Sequence, residues 1–344
     1  MKDRKKLVDT LKGGTLKVPP LWMMRQAGRY LPEYRQTRER VGSFWNLCMT
    51  PAFAAEVTLQ PIHRFGFDAA IIFSDILVIP AALGMTVTFE AGEGPKLTPF
   101  SGVHGFEMDN KKRSDFLEPV YEALRQVRSA LDSSTALLGF AGAPWTLATY
   151  MAAGGGGDEQ KAAKLLAYRD PVQFSELIGV LVDCVSQHLI AQLRAGADAV
   201  QIFDSWVGGL PPQGFQDWVV EPTKQIVSKV RAAIPDACII GFPRAATLNG
   251  YTLYAREIGV DAVSLDTSAP MDWAARTLAP GVALQGNLDP IALIAGGRAL
   301  GESVEKILKA TEGVPFVFNL GHGILPETPI AHVEELVRLV RGTA

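Results

Sequence analysis

Cysteine is scarce. Three residues, Cys48, Cys184 and Cys238, stand far apart in a chain of 344. They form no Cys-x-x-Cys pair and no zinc-binding spacing, which excludes a zinc knuckle and a disulfide-stapled secreted scaffold and leads to the expectation of a reducing cytoplasm. An excess of charge of one sign is also missing. Lys and Arg total 33 against 36 Asp and Glu, a formal net charge of −3, so no basic field points to nucleic acid or to an anionic membrane surface. An anionic ligand would have to meet a local cluster of arginines instead. No uninterrupted run of about 18 apolar residues occurs, so no membrane-spanning helix is expected. The charged residues at the start are not followed by an apolar segment, so no signal peptide is expected either.

What is present is an ordinary globular composition, 48 % apolar and 20 % charged. Short apolar runs recur at residues 20–24 (PLWMM), 69–73 (AAIIF), 136–140 (ALLGF), 199–203 (AVQIF), 238–242 (CIIGF), 262–265 (AVSL), 282–285 (VALQ) and 315–319 (PFVFN). Each has the length of a strand buried on both faces. Between them, residues 116–131, 175–193, 215–234 and 302–310 carry apolar residues at three- and four-residue spacing and predict helices. Alternation of strand and helix along the whole length predicts an α/β fold. Eight such strands favour a single (β/α)8 TIM barrel over residues 1–344. An open doubly wound sheet would announce itself by a Gly-rich first turn, and the first strand here runs into Met-Arg-Gln. Residues 85–100 alternate, turn at 92–95 and alternate again, predicting a β-hairpin excursion after strand two. The four glycines at 154–157 read either as a mobile loop at the barrel mouth or as a plain linker. No internal repeat is evident beyond the alternation.

In such a barrel, catalytic residues stand where strands end. Arg25 and Arg29 follow the first run, and their spacing of four would place both guanidiniums on one face of a helical turn, suited to carboxylates. The alternative is pairing with Glu33 or Glu39. Asp75 follows the second run. It could stabilise positive charge on a ligand, or cap a helix or join an ion pair. Tyr150 precedes the glycine run and could reach over a ligand or simply pack on the barrel top. Ser205 follows Asp204 with no His placed for a triad, which favours a hydrogen-bonding role over a nucleophilic one. His322 lies between Gly321 and Gly323, which would let backbone approach a ligand closely.

Residues 20–35 (PLWMMRQAGRYLPEYR) and 139–150 (GFAGAPWTLATY) closely resemble signatures of the uroporphyrinogen decarboxylase family. Supporting matches are 72–77 (IFSDIL), 201–208 (QIFDSWVG) and 318–326 (FNLGHGILP), in family order across almost the whole chain. The resemblance implies a (β/α)8 barrel that removes the four acetate carboxyl groups of uroporphyrinogen III, giving coproporphyrinogen III, with no metal and no cofactor. It implies that Arg25 and Arg29 bind and activate substrate carboxylates, and that Gln26, Ala27 and Gly28 line the pocket between them. It further implies that Asp75 accepts hydrogen bonds from pyrrole N–H groups, and that Tyr150, Ser205 and His322 are substrate contacts. A homodimer is the family habit. Trp206, beside Ser205, falls at a variable family position and is given no role. The rival reading is a zinc-dependent corrinoid methyltransferase of the same superfamily. It needs a His-x-Cys pair at the mouth, whereas His322 is followed by Gly323 and Ile324.

Overall fold

A computed structural model describes residues 5–90, 94–156 and 158–342. Along the described chain the strands are β1 (Ala69–Ile71), β2 (Val87–Glu90), β3 (Gly94–Leu97), β4 (Ala136–Gly142), β5 (Ala199–Asp204), β6 (Cys238–Pro243), β7 (Ala262–Ser264), β8 (Ala283–Leu288) and β9 (Phe316–Leu320). Seven of them form one curled parallel sheet in the order β1-β4-β5-β6-β7-β8-β9. The sheet therefore has one strand fewer than expected. Residues 20–24 make a single bridge, Leu21 to Phe318. Pro19 and Pro20 have no N–H to give a ladder, and the chain turns away at Arg25, where φ is +61°. Leu21 nevertheless lies between the two sheet edges. On one side Phe318 N–H donates to the Pro20 carbonyl at 2.9 Å, and on the other Asp68 N–H donates to the Leu21 carbonyl at 2.9 Å.

Alternation along the strands sorts side chains into two cores. Ala69, Ile71, Leu138, Ala199, Ile240, Phe242 and Val317 belong to one, together with Trp22 and Met24. Ala70, Leu137, Val200, Ile239, Val263, Leu284 and Phe318 belong to the other, shared with the surrounding helices. Helix Lys6–Leu11 sends Leu7 and Leu11 into the first core, and so closes the end where the strands begin. Ion pairs from Lys5 to Asp198 and from Lys6 to Asp68 hold it there.

Those two aspartates belong to a repeat that the sequence reading did not register. Gly66-Phe67-Asp68, Gly196-Ala197-Asp198 and Gly259-Val260-Asp261 each lead into a strand. All three glycines have positive φ, at +62°, +111° and +82°. Each aspartate accepts the N–H of a residue at the start of the neighbouring segment: Leu21 at 3.0 Å, Leu137 at 2.8 Å and Ile239 at 2.7 Å. These carboxylates cap strand starts and keep clear of the opposite end, where chemistry is expected.

The predicted helices correspond to Asn110–Ala130, Pro171–Arg194 and Gly297–Ala310, and to a run of three joined pieces, with ends that differ by a residue or more. In that run Gln216–Val220 is a wide π turn between Pro212–Phe215 and Glu221–Ala233. Pro222 follows two residues later, and its missing N–H removes an ordinary helical bond at that point. Helix Pro171–Arg194 is long and apolar enough to cross a membrane by length and composition, contrary to the expectation that no segment would be. However, 56 % of its most apolar window is buried within the protein. β2 and β3 pair antiparallel, with Val87 opposite Leu97. Of the turn expected at 92–95, residues 92 and 93 lie outside the described residues. The glycine run is tied down at its start. Gly154 ends helix Pro144–Ala153 with φ +71° and its carbonyl accepts the Leu97 N–H at 2.9 Å, while Gly155 bridges to Lys96. Gly157 lies outside the described residues.

Candidate active site

The ends of β4, β5 and β6 carry Phe140, Phe203 and Phe242. Their rings meet edge to face at 5.6 and 6.0 Å and form an apolar floor. Polar groups stand beyond it, each placed by local backbone chemistry. The strand-to-loop passage after β1 positions Asp75. β1 leaves β4 after Ile72, whose N–H bonds the Leu138 carbonyl, and Phe73 N–H turns outward to the Thr58 hydroxyl. The Phe140 peptide is thereby stripped of its partner strand. The side-chain amide of Gln192 replaces it, accepting the Phe140 N–H at 2.9 Å and donating to the Phe140 carbonyl at 2.8 Å. Gly139 is the residue that permits this approach, since a Cβ there would lie 2.6 Å from the Gln192 oxygen.

Asp75 is half-buried. Its Oδ1 accepts the Leu77 N–H at 2.8 Å, so the capping alternative is partly realised. Burial pushes its pKa up to about 6, opposed by that hydrogen bond and by the positive charge of Arg25. The Arg25 guanidinium also acts on Tyr150 and His322. One cation therefore acts on Asp75, Tyr150 and His322 together, although the four residues come from four distant parts of the chain.

Arg25 and His322 are braced against each other. Met24 N–H bonds Asn319 Oδ1 at 2.9 Å, and Ile324 N–H bonds the Met24 carbonyl at 3.0 Å. A Cβ on Gly323 would lie 2.4 Å from Cδ of Arg25, and one on Gly321 would lie 2.4 Å from the Thr267 nitrogen. The glycines around His322 thus make room for protein, Arg25 and Thr267, where the sequence suggested room for a ligand. Burial first, then the charges of Arg25 and Arg244, pull the His322 pKa down to about 4. The imidazole is neutral at pH 7 and can exchange hydrogen bonds without adding charge.

Arg25 and Arg29 do not share a helical face. Residues 24–31 form turns, and the helix starts only at Pro32. Glu33, a partner considered for them, is taken by Arg64 at 2.7 and 2.9 Å. Both arginines are exposed. Gln26 is fully buried and faces the wall. Its Oε1 accepts the Met23 N–H and its Nε2 donates to the Ala69 carbonyl, both at 3.1 Å, so its side chain serves the turn. Ala27 is buried. Gly28 is held by a close approach, since a Cβ there would lie 2.9 Å from the Arg25 carbonyl.

Tyr150 meets Trp206 edge-on at 6.0 Å, and burial raises its pKa. Ser205 is fixed through its neighbours. The Thr146 hydroxyl donates to Asp204 Oδ1 and accepts the Trp206 N–H at 3.3 Å, while Trp145 Nε1 donates to the Trp206 carbonyl at 2.8 Å. Asp204 itself is buried and its pKa is pushed up to about 7 by desolvation. Trp206, given no role from sequence, supports the tyrosine. Arg244 was also passed over. Its signal was its place one residue beyond β6, among the strand-end residues. Among the described residues no group of three His, Cys, Asp or Glu could hold a metal ion.

The family model for uroporphyrinogen decarboxylase (URO-D) matches residues 2–343. The uroporphyrinogen decarboxylase of Mesorhizobium japonicum is 54 % identical over 338 residues, covering 98 % of each chain. That of Chelativorans sp. is 52 % identical over 337 residues, again 98 % of each. The chain belongs to the uroporphyrinogen decarboxylase family. It shares its fold with more distant proteins. A methyltransferase from Methanosarcina mazei superposes with a TM-score of 0.82 over 99 % of both chains at 18 % identity. A B12-independent methionine synthase from Shewanella sp. W3-18-1 does so at 0.56, over 94 % of this chain and 96 % of its own, at 10 % identity. At those identities the likeness concerns architecture, and it does not favour methyl-transfer chemistry here.

Proposed function

We propose that this chain removes the four acetate carboxyl groups of uroporphyrinogen III to give coproporphyrinogen III, in a cleft above the Phe140–Phe203–Phe242 floor. The observation that carries the reading is identity above 50 % with uroporphyrinogen decarboxylases over 98 % of the chain. Asp75 facing Arg25 supports the chemistry. Protonation of a pyrrole α-carbon makes an iminium that can take an electron pair. The bond to the acetate carboxylate then breaks and carbon dioxide leaves, its electron pair forming an exocyclic methylene. Protonation of that methylene gives a methyl group, and loss of the proton first added at the α-carbon restores the pyrrole. The ring is its own electron sink, so this reading calls for no cofactor.

Ionised Asp75 faces the cationic ring and accepts its N–H bonds, stabilising charge where it develops. Arg25 and Arg29 hold carboxylates, and Tyr150, Ser205 and neutral His322 supply orienting hydrogen bonds. Gln26, Ala27 and Gly28 shape the turn that presents the two arginines. Uncatalysed decarboxylation of this kind is slow, which sets the demand on the site toward the upper end of roughly 8–23 kcal/mol. A preorganised site above an apolar floor suits that demand better than one carboxylate alone.

The same reading makes the chain one closed (β/α)8 domain with a hairpin after the second strand. The segment of residues 20–22, bonded to Phe318 on one side and Asp68 on the other, supports closure, and the antiparallel pairing of β2 with β3 supports the hairpin. It acts in the cytoplasm, in keeping with three buried free cysteines, and as a homodimer, without nucleic acid or membrane partners. Light scattering on the purified protein should give twice the chain mass, and a monomer at assay concentration would contradict the dimer. The activity itself is tested by anaerobic incubation with uroporphyrinogen III, oxidation, and separation by carboxyl number. Seven-, six-, five- and then four-carboxyl species are expected. An unchanged eight-carboxyl species with folded protein would refute the reading.

A further inference from the structure

Arg244 occupies a turn that the structure goes to some length to hold. Directly after it Ala245 has φ +61°, a conformation that favours glycine. Three hydrogen bonds pin the turn. Arg244 N–H donates to the Asp204 carbonyl at 3.0 Å, Ala245 N–H donates to Asp266 Oδ2 at 2.6 Å, and the Tyr251 hydroxyl donates to the same oxygen at 2.7 Å. The other oxygen of Asp266 takes the Ser268 N–H and hydroxyl at 2.7 and 2.6 Å. Asp266 is therefore fully engaged with neutral donors. Among the described residues Arg244 has no carboxylate ion pair, and its one side-chain bond is from Nη1 to the Ser205 carbonyl at 3.4 Å. The residue is half-buried. A guanidinium partly withdrawn from water without a counter-ion is unfavourable, and an anionic ligand would relieve it.

Its surroundings indicate where that anion sits. Arg244 reaches the Ser205 carbonyl at the end of β5, next to the Trp206 ring that meets Tyr150, while Arg25 packs on Gly323 beside His322; the charges of both arginines act on His322 and Tyr150. They are not equivalent, because the charge of Arg25 opposes the raised pKa of Asp75, whereas Arg244 is held against the Ser205 carbonyl beyond β5. We propose that Arg244 is a carboxylate-binding residue of the cleft, gripping one of the four carboxylates that the reaction leaves intact and so setting which ring is presented to Asp75. The inference rests on the decarboxylase reading. It divides the arginines by task, with Arg25 beside the reacting ring and Arg244 at the periphery of the macrocycle. The Asp266–Tyr251–Ser268 cluster acts as the clamp that aims Arg244.

The test is steady-state kinetics on uroporphyrinogen III for wild type, Arg244→Gln and Arg244→Lys, with each reaction also separated by carboxyl number. Removing a residue that binds substrate and transition state equally raises KM and leaves kcat alone. Loss of a charge-assisted bond gives Arg244→Gln a KM increase of roughly tenfold to hundredfold. Arg244→Lys keeps the charge and should recover most of that loss. The KM of Arg244→Gln should also respond less to added salt than that of wild type. If Arg244→Gln melts below the assay temperature, Arg244→Met replaces it, keeping the aliphatic stem. A purely structural role would lower the melting temperature without the split between KM and kcat and without rescue by lysine. Unchanged KM, or loss confined to kcat, overturns the proposal for Arg244 while an active wild type leaves the decarboxylase reading standing. An inactive wild type would overturn that reading instead.

Discussion

At the scale of single residues, the site is a set of ordinary side chains made unusual by their surroundings. Asp75 shows this best, because burial holds its pKa near 6, with Arg25 and the Leu77 N–H pulling the other way. A carboxyl raised on folding binds more protons in the native state than in the unfolded chain. Its stabilising contribution is full below the unfolded pKa and is lost as pH rises through 6. The ionised form needed for catalysis is thus the form that costs stability. Asp75→Asn is expected to raise stability at pH 8 by about 1–3 kcal/mol, with the gain vanishing near pH 4, as read from thermal melts across pH. A variant less stable than wild type at pH 8 would contradict this account of the residue. The pH profile follows the same sign. In wild type kcat/KM should climb through pH 6 as Asp75 ionises. That limb should be missing from Asp75→Asn.

At the scale of elements, Gln192 has the most consequential place among groups that touch no substrate. It lies on helix Pro171–Arg194 and replaces β1 as hydrogen-bond partner of the Phe140 peptide. That replacement lets β1 swing away and carry Asp75 to the mouth. Gln192→Leu keeps the volume and abandons two backbone groups, with an expected loss of about 2–5 kcal/mol in urea unfolding. A change below 0.5 kcal/mol would show that water serves the Phe140 peptide equally well. Element existence was legible because buried strands are short, apolar and regularly spaced. Residues 20–24 make a single bridge where a full strand was expected, because Pro20 has no N–H to give and the chain turns away at Arg25. The Gly-x-Asp repeat was present in the sequence, yet a tripeptide is too short to stand out, and only the bonds from Leu21, Leu137 and Ile239 give it meaning.

At the scale of the whole molecule, the two ends of the sheet divide the labour. Lys5, Lys6, Asp68, Asp198 and Asp261 tie down the end where the strands begin, while the other end keeps charged groups free for a ligand. Sequence alone named most of the residues that meet at that end, since motif order fixed their neighbourhoods. It could not place Arg244 near His322, because 78 positions separate them (322 − 244) and only the curled sheet joins them. For the same reason it could not see that Gln26 faces the wall. The division also bears on metal chemistry. Exhaustive treatment with EDTA should leave turnover unchanged if the substrate ring takes the electrons. Loss of turnover that zinc restores would favour the methyltransferase-like alternative.

The central claim is that the charge of Asp75 drives decarboxylation. Its most direct test compares kcat and KM of wild type and Asp75→Asn on uroporphyrinogen III under anaerobic conditions. The account predicts a fall in kcat of about a hundredfold or more, with KM within a few-fold of wild type. Equal losses in kcat/KM and in binding affinity, with kcat unchanged, would show that Asp75 only holds the substrate and would contradict the claim.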